Sequence, residues 1–179
     1  MENEESLIKI ANEGGAEKQY ILSVKYAAGK DLSKDLGKAA EWFEKAALQG
    51  HAKAQYYLGF AYHEGEGVPQ NLVEAAKWWE KAALQGDDKA QFNLGRYYAM
   101  GQGVPEDEAK AEDWISKAAE QGNTDAQEIL RGRPAADESF EVVETKKELK
   151  VLLILSAIGA VIGAIAGAGS GTTGDVGGQ

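Results

Sequence analysis

Apolar residues recur with the period of an α-helix over most of the chain. Short breaks divide this pattern into paired segments. In the segment 52–64, apolar side chains fall on one face of a helix. Glycines and Pro69 then predict a turn. Asn71, followed three residues later by Glu74, is typical of a helix N-cap with its partner. The second segment ends at Gly86, which predicts a helix–turn–helix unit.

This unit recurs every 36 residues. The positions that hold the period are Gln19, Gln55, Gln91 and Gln127; Tyr26, Tyr62 and Tyr98; Trp42, Trp78 and Trp114; and Gly50, Gly86 and Gly122. A period of about 20–50 residues is typical of a stacked array, in which each unit buries its apolar face against a neighbour. The pattern predicts three full units at 15–50, 51–86 and 87–122. A lone helix at 5–14 and an incomplete unit at 123–131 should flank them, as in other repeat arrays.

The repeated residues resemble the Sel-one-like repeat family, a relative of the tetratricopeptide repeats. In the second unit the family pattern falls on Ala52, Ala54, Gln55, Leu58, Gly59, Tyr62, Gly65, Gly67, Val68, Trp78, Lys81, Ala82, Ala83 and Gly86. The resemblance covers about residues 5–131. It implies an all-α fold, a right-handed superhelical α/α solenoid, within the domain 1–133. It also implies an adaptor or scaffold role, with ligands usually held on the concave side.

Positions that vary between units, on the first helix of each pair, are the candidates for partner contact. If the arrangement follows tetratricopeptide geometry, the concave surface carries Lys53, Tyr56, Phe60, His63, Lys89, Phe92 and Arg96. The first unit offers Glu17, Tyr20, Val24 and Ala27 at matching positions. Such a mixed aromatic and basic groove suits an extended peptide or an acidic helix. The alternative, that these are solvated helix faces without a ligand, stays open.

The amino-acid composition argues against several classes of function. The net charge of -10 predicts no nucleic-acid partner, because phosphate binding requires clustered basic residues. The absence of cysteine excludes disulfides and thiol catalysis. His51 and His63 have no Asp, Ser or Cys companion at a recognisable spacing. We therefore expect no catalytic residues, no metal site and no cofactor.

The remainder of the chain differs from the repeats. A polar linker at 134–150 precedes the segment 151–168, which has no charged residue and only Ser156 as a polar one. This length is near the lower limit for a membrane helix, for which about 20 residues are usual. Gly159, Gly163 and Gly167 recur every four residues, a glycine-zipper spacing that favours helix–helix contact in lipid. A flexible glycine-rich end, 169–179, follows.

Three lysines precede the apolar segment, so the positive-inside tendency predicts that the repeat domain stays in the cytoplasm. The sequence thus predicts a non-enzymatic adaptor that binds a protein or peptide on its concave surface and is tethered by a C-terminal membrane helix. The glycine spacing would also provide a route to homo-oligomers. Two alternatives stay open. One is a soluble helix that is buried or oligomerises; the other is a membrane-active, toxin-like effector whose zipper assembles in a target membrane.

Overall fold

The computed structural model describes residues 3–29 and 31–132. Within these residues the chain forms helices only. They are α1 (Glu4–Glu13), α2 (Gly15–Ala28), α3 (Leu36–Leu48), α4 (Ala52–Glu64), α5 (Leu72–Leu84), α6 (Asp88–Met100), α7 (Glu108–Glu120) and α8 (Thr124–Arg131). The predicted all-α class is confirmed. The linker, the segment 151–168 and the glycine-rich end lie outside the described residues.

The helices follow one another as a stack, in which each helix from α1 to α6 packs against the next. Helices α2 and α3, α4 and α5, and α6 and α7 are the three predicted pairs, and α1 and α8 flank them. Alanines at the contact surfaces let the helices approach closely; Ala46, Ala54, Ala82 and Ala90 are fully buried. The 36-residue period therefore reflects packing of successive units.

The start of α5 shows how the turns are fixed. The side-chain oxygen of Asn71 accepts hydrogen bonds from the backbone N–H groups of Val73 and Glu74, both at 3.1 Å, which confirms the predicted N-cap. Glu74, the predicted N3 partner of this cap, does not accept the Asn71 N–H. Its carboxylate lies 2.7 Å from the Lys77 amine, and the Asn71 N–H donates instead to the carbonyl of Tyr62.

The buried glutamines Gln55 and Gln91 join neighbouring helices through side-chain hydrogen bonds. Gln55 on α4 donates to the carbonyl of Ala47 on α3 at 3.0 Å and accepts from the side chain of Gln85, after α5, at 2.6 Å. Gln91 repeats this arrangement one unit later, with Ala83 and Gln121. Each glutamine thus fixes the first helix of its unit against the preceding unit and against its own second helix.

Replacing Gln55 with leucine should lower the free energy of unfolding by about 1–3 kcal/mol, because the buried carbonyl of Ala47 loses its donor. Urea unfolding followed by circular dichroism measures the change. Gln127→Leu is the matched control, since Gln127 donates the equivalent bond to Ala119 but lies in the last unit, where it is only partly buried. Equal losses in the two variants would contradict the role assigned to Gln55.

Candidate functional site

An open cleft of about 390 Å³ lies between α2 and α4, with α3 beneath it. We call it the aromatic cleft, and its large lining side chains are Tyr20, Val24, Phe43, Tyr57 and Phe60. Lys34 and Glu66 are the charged residues that line it. Its walls are otherwise apolar or aromatic, so the cleft is suited to an apolar group.

The aromatic side chains form a connected surface. The rings of Phe43 and Tyr57 are stacked with centroids 5.4 Å apart, and Tyr20 lies 6.1 Å from Phe43 and 6.2 Å from Tyr57. Val24 remains 38% exposed, and Tyr57 and Phe60 each remain 40% exposed. Contiguous apolar surface of this kind in a soluble domain commonly marks a binding site.

The cleft exists because two alanines occupy positions that carry large residues one unit later. Ala27 and Ala61 correspond to His63 and Tyr97, 36 residues further along the chain. There, Nδ1 of His63 lies 2.7 Å from the Tyr97 hydroxyl. The Tyr97 ring also meets Trp79 edge to face at 4.9 Å. The same space is therefore filled in the second unit and open in the first.

A second, more polar cleft of about 420 Å³ lies between α4, α6 and the start of α8. Tyr56, Phe92, Lys89 and Arg96 line it, together with Asp88 and Asp125. The Arg96 guanidinium lies 5.7 Å from the centre of the Phe92 ring, and its buried Nε has no hydrogen-bond partner among the described residues. Burial lowers the pKa of Arg96 and raises that of Tyr56 to about 12.

The predicted contact residues fall in different places. Phe60 lines the aromatic cleft, and so do Tyr20, Val24 and Ala27 of the first unit. Tyr56, Lys89, Phe92 and Arg96 line the polar cleft instead. His63 is half-buried against Tyr97, and Lys53 is exposed on α4, one helical turn before Tyr57. The proposed helix-contact glycines Gly159, Gly163 and Gly167 lie outside the described residues.

Sequence reasoning missed Phe43 and Tyr57. Phe43 lies on the second helix of its unit, which was assigned to packing. Tyr57 directly follows Tyr56 in the chain. Tyr56 was chosen as the contact residue because aromatic residues recur at the equivalent positions, Tyr20 and Phe92. The sequence did contain a signal for Tyr57, because this position varies between units. The equivalent residue is Ile21 in the first unit and Asn93 in the third.

The profile of the Sel1 repeat matches three successive segments of the chain, residues 17–51, 52–87 and 88–123. These segments cover more than half of the chain and follow the three helix pairs. The chain belongs to the Sel1 repeat family. Proteins built from Sel1 repeats generally mediate protein–protein interactions. No match was found among curated protein sequences.

Solved structures share the fold. The chain is 38% identical to a Sel1 repeat protein from Oxalobacter formigenes, with a TM-score of 0.65 over 70% of this chain and 94% of that protein. It is also 38% identical to a protective antigen of uropathogenic Escherichia coli that displays an SLR fold (TM-score 0.68, 86% of this chain and 33% of the antigen). Cysteine rich protein B of Helicobacter pylori, at 24% identity, shares the fold (TM-score 0.58, 70% and 93%).

The histidines of these Sel1 repeats make structural contacts. Nε2 of His51 lies 3.0 Å from the Glu17 carboxylate, and its ring stacks on Tyr20 at 4.5 Å. Nδ1 of His51 accepts the backbone N–H of Ala54 at the start of α4. Within the described part of the chain, no group of three His, Asp or Glu side chains could hold a metal ion.

His63 should make stability depend on pH. Burial lowers its pKa below the ordinary value of 6.5; Glu64 opposes this effect and Arg96 adds to it. As pH falls below about 6.5, the unfolded chain binds a proton more readily than the folded one, so stability decreases. We expect the urea midpoint to fall more between pH 7.5 and 5.5 in the wild type than in His63→Gln. An equal fall in both would contradict this assignment.

Proposed function

We propose that this Sel1-repeat protein is a non-enzymatic adaptor that binds a segment of a partner protein in the aromatic cleft. The observation that supports it most strongly is the open space beside Ala27 and Ala61. In the next unit, His63 and Tyr97 fill the equivalent space. If the repeats only had to pack against one another, large side chains could fill this space in both units. The open position leaves Tyr57 and Phe60 available to a ligand.

The shape of the cleft favours a side chain of a peptide over a small free molecule. The cleft is open to solvent along α2 and α4, so a chain can cross it and insert one bulky group. Rigid aromatic walls provide a large contact area at a small loss of conformational entropy. Side chains anchored in such pockets commonly supply most of the binding energy of an interface.

The test is to close the cleft with the residues of the next unit. In the variant that carries both Ala27→His and Ala61→Tyr, hereafter the closed variant, these side chains should fit, because Phe43 beneath them is smaller than the equivalent Trp79. Peptides are selected from a random display library on the full wild-type chain, and their Kd values are measured by fluorescence polarisation. We expect binding to the closed variant to be at least about tenfold weaker.

Ala109→Tyr is the matched control, because Ala109 is exposed at the start of α7 and lies outside the cleft. It should leave the Kd of the selected peptides unchanged. Two results would contradict the proposal: failure to recover any binding peptide, or equal affinity for the wild type and the closed variant.

We also propose that the segment 151–168 tethers the repeats to a membrane, with the repeat domain on the cytoplasmic side. The support is its lack of charge and the preceding Lys146, Lys147 and Lys150. No helix among the described residues is long and apolar enough to cross a membrane. Fractionation of cells expressing the full chain, or a version ending at Lys150, tests the tether. Equal solubility of the two would contradict it.

The spacing of Gly159, Gly163 and Gly167 supports a second candidate, a membrane-active effector that oligomerises through this segment. Liposome leakage separates the two candidates. Dye release that requires Gly163, measured with Gly163→Leu, would favour the effector. A full chain that binds liposomes without releasing dye would favour the tether.

A further inference from the structure

Equivalent side chains on α2, α4 and α6 form three matching stripes. The stripe of each helix is spaced at i, i+4 and i+7, and the stripes are Glu17, Ile21 and Val24; Lys53, Tyr57 and Phe60; and Lys89, Asn93 and Arg96. Val24 of the first stripe and Tyr57 and Phe60 of the second line the aromatic cleft. The third stripe lines the polar cleft. Along the array the stripes therefore change from mainly apolar to mainly basic.

The basic groups of these stripes are available to a ligand. Lys53 and Lys89 are exposed and take part in none of the ion pairs formed among the described residues. Three lysines of the second helices differ, because their amines lie over tryptophan rings. These pairs are Lys45 with Trp42, Lys81 with Trp78 and Lys117 with Trp114.

Arg96 has an unused hydrogen-bond donor. Its Nε is buried without an acceptor among the described residues, and leaving such a donor unpaired is unfavourable. Of the two acids that line the polar cleft, Asp88 accepts a hydrogen bond from the Asn123 side chain at 2.9 Å. Asp125 interacts electrostatically with Arg96, but Nε remains unpaired. The guanidinium of Arg96 lines the polar cleft, where a carboxylate of a ligand could pair with its positive charge.

We infer that the partner segment is an extended acidic peptide that places a bulky apolar side chain in the aromatic cleft and a carboxylate beside Arg96 and Lys89. This inference rests on the proposed function and specifies the chemistry of the partner. The protein has a net charge of -10, so an acidic peptide is repelled by most of its surface. The basic stripes then determine where such a peptide can bind and in which direction it runs.

The distance along the peptide follows from helix packing. Packed helices lie about 8–10 Å apart, and an extended chain advances about 3.3 Å per residue. The aromatic cleft lies between α2 and α4, and Arg96 lies on α6, the first helix of the next unit. About three to six residues should therefore separate the apolar anchor from the acidic group.

Synthetic peptides test this arrangement directly. Each carries fluorescein, one tryptophan, a Gly-Ser spacer of about two to seven residues, and a terminal pair of Glu, Gln or Lys residues. Binding to the full chain is followed by fluorescence polarisation. We expect the Glu peptide with the best spacer to bind at least about tenfold more tightly than its Gln and Lys counterparts. This preference should weaken as salt rises from about 50 to about 500 mM.

Variants then locate the charge preference. Arg96→Gln should remove most of the preference for Glu over Gln, whereas Lys9→Gln on α1 makes the same charge change outside the stripes and should keep it. If Arg96→Gln lowers the melting temperature, the double variant Lys53→Gln with Lys89→Gln tests the same charges at exposed positions and should reduce the preference. Preference unchanged in the folded charge variants would overturn the inference.

The outcomes separate this inference from the proposed function. The Glu, Gln and Lys peptides could bind equally well, and the closed variant could lose this binding. That result would overturn the inference of an acidic partner but would still support the cleft as a binding site. Tighter binding of the Lys peptides would overturn it in the same way. Absence of binding by every peptide, or binding that the closed variant retains, would count against both.

Discussion

Replacing Trp79 with alanine should lower the free energy of unfolding by about 3–5 kcal/mol, the usual range for a buried aromatic residue. Trp79 is only 2% exposed, and its indole N–H donates to the carbonyl of Tyr56 at 3.1 Å. The ring fills the space beside Gly59, where an added Cβ would lie 2.6 Å from the indole. The substitution would thus leave a cavity and an unpaired carbonyl. Urea unfolding measures the loss.

Trp114→Ala is the control for this prediction. Trp114 occupies the recurring tryptophan position of the third unit, but it is only partly buried and carries the Lys117 amine 4.5 Å from the ring centre. Its loss should therefore destabilise the chain less than the loss of Trp79. Equal effects of the two substitutions, or no effect of Trp79→Ala, would contradict the packing described for the second unit.

The second large effect is expected for Gly67→Ala. Gly67 has φ of +76°, and a Cβ at this position would clash with the backbone carbonyl of Leu36 in the preceding unit. The left-handed conformation costs an L-residue about 1–2 kcal/mol, and the clash should add about 1–3 kcal/mol. Thermal and urea unfolding of the full chain measure the sum.

Gly50→Ala isolates the conformational part of this effect. Gly50 has φ of +88°, but a Cβ there would meet no atom within 4 Å. It should therefore show the conformational cost alone. If Gly67→Ala proved no more destabilising than Gly50→Ala, the close approach between the turn and the start of α3 would be wrong.

The fold could be predicted from the sequence because stacking repeats one local environment. Gln55, for example, must meet a carbonyl of the unit before it and a side chain of its own second helix, so the same residue recurs at Gln91. The predicted first helix of the second unit, 52–64, matches α4 (Ala52–Glu64). Glu74, the predicted N3 partner of Asn71, does not take part in the cap, because the Asn71 N–H donates to the carbonyl of Tyr62 across the turn.

The aromatic cleft could not be predicted in the same way. It depends on Ala27 and Ala61, which belong to different units and come together only when the units stack. Small residues at single positions carry no sign of an opening, since alanine is also the main packing residue of this array. Val24, Ala27 and Phe60 were predicted as contact positions because they vary between units, but the cleft that they line is built from three helices.

Binding of the partner in the aromatic cleft is the central claim, and photo-crosslinking tests it directly. A benzophenone amino acid replaces Tyr57 in the aromatic cleft or Leu84 at the end of α5, which is 72% exposed and lies outside the cleft. Each full-length variant is irradiated with a peptide selected on the wild type. We predict a covalent adduct from position 57 that excess unlabelled peptide suppresses, and none from position 84. Adducts of equal yield from both positions, or an adduct from position 84 alone, would contradict binding in the cleft.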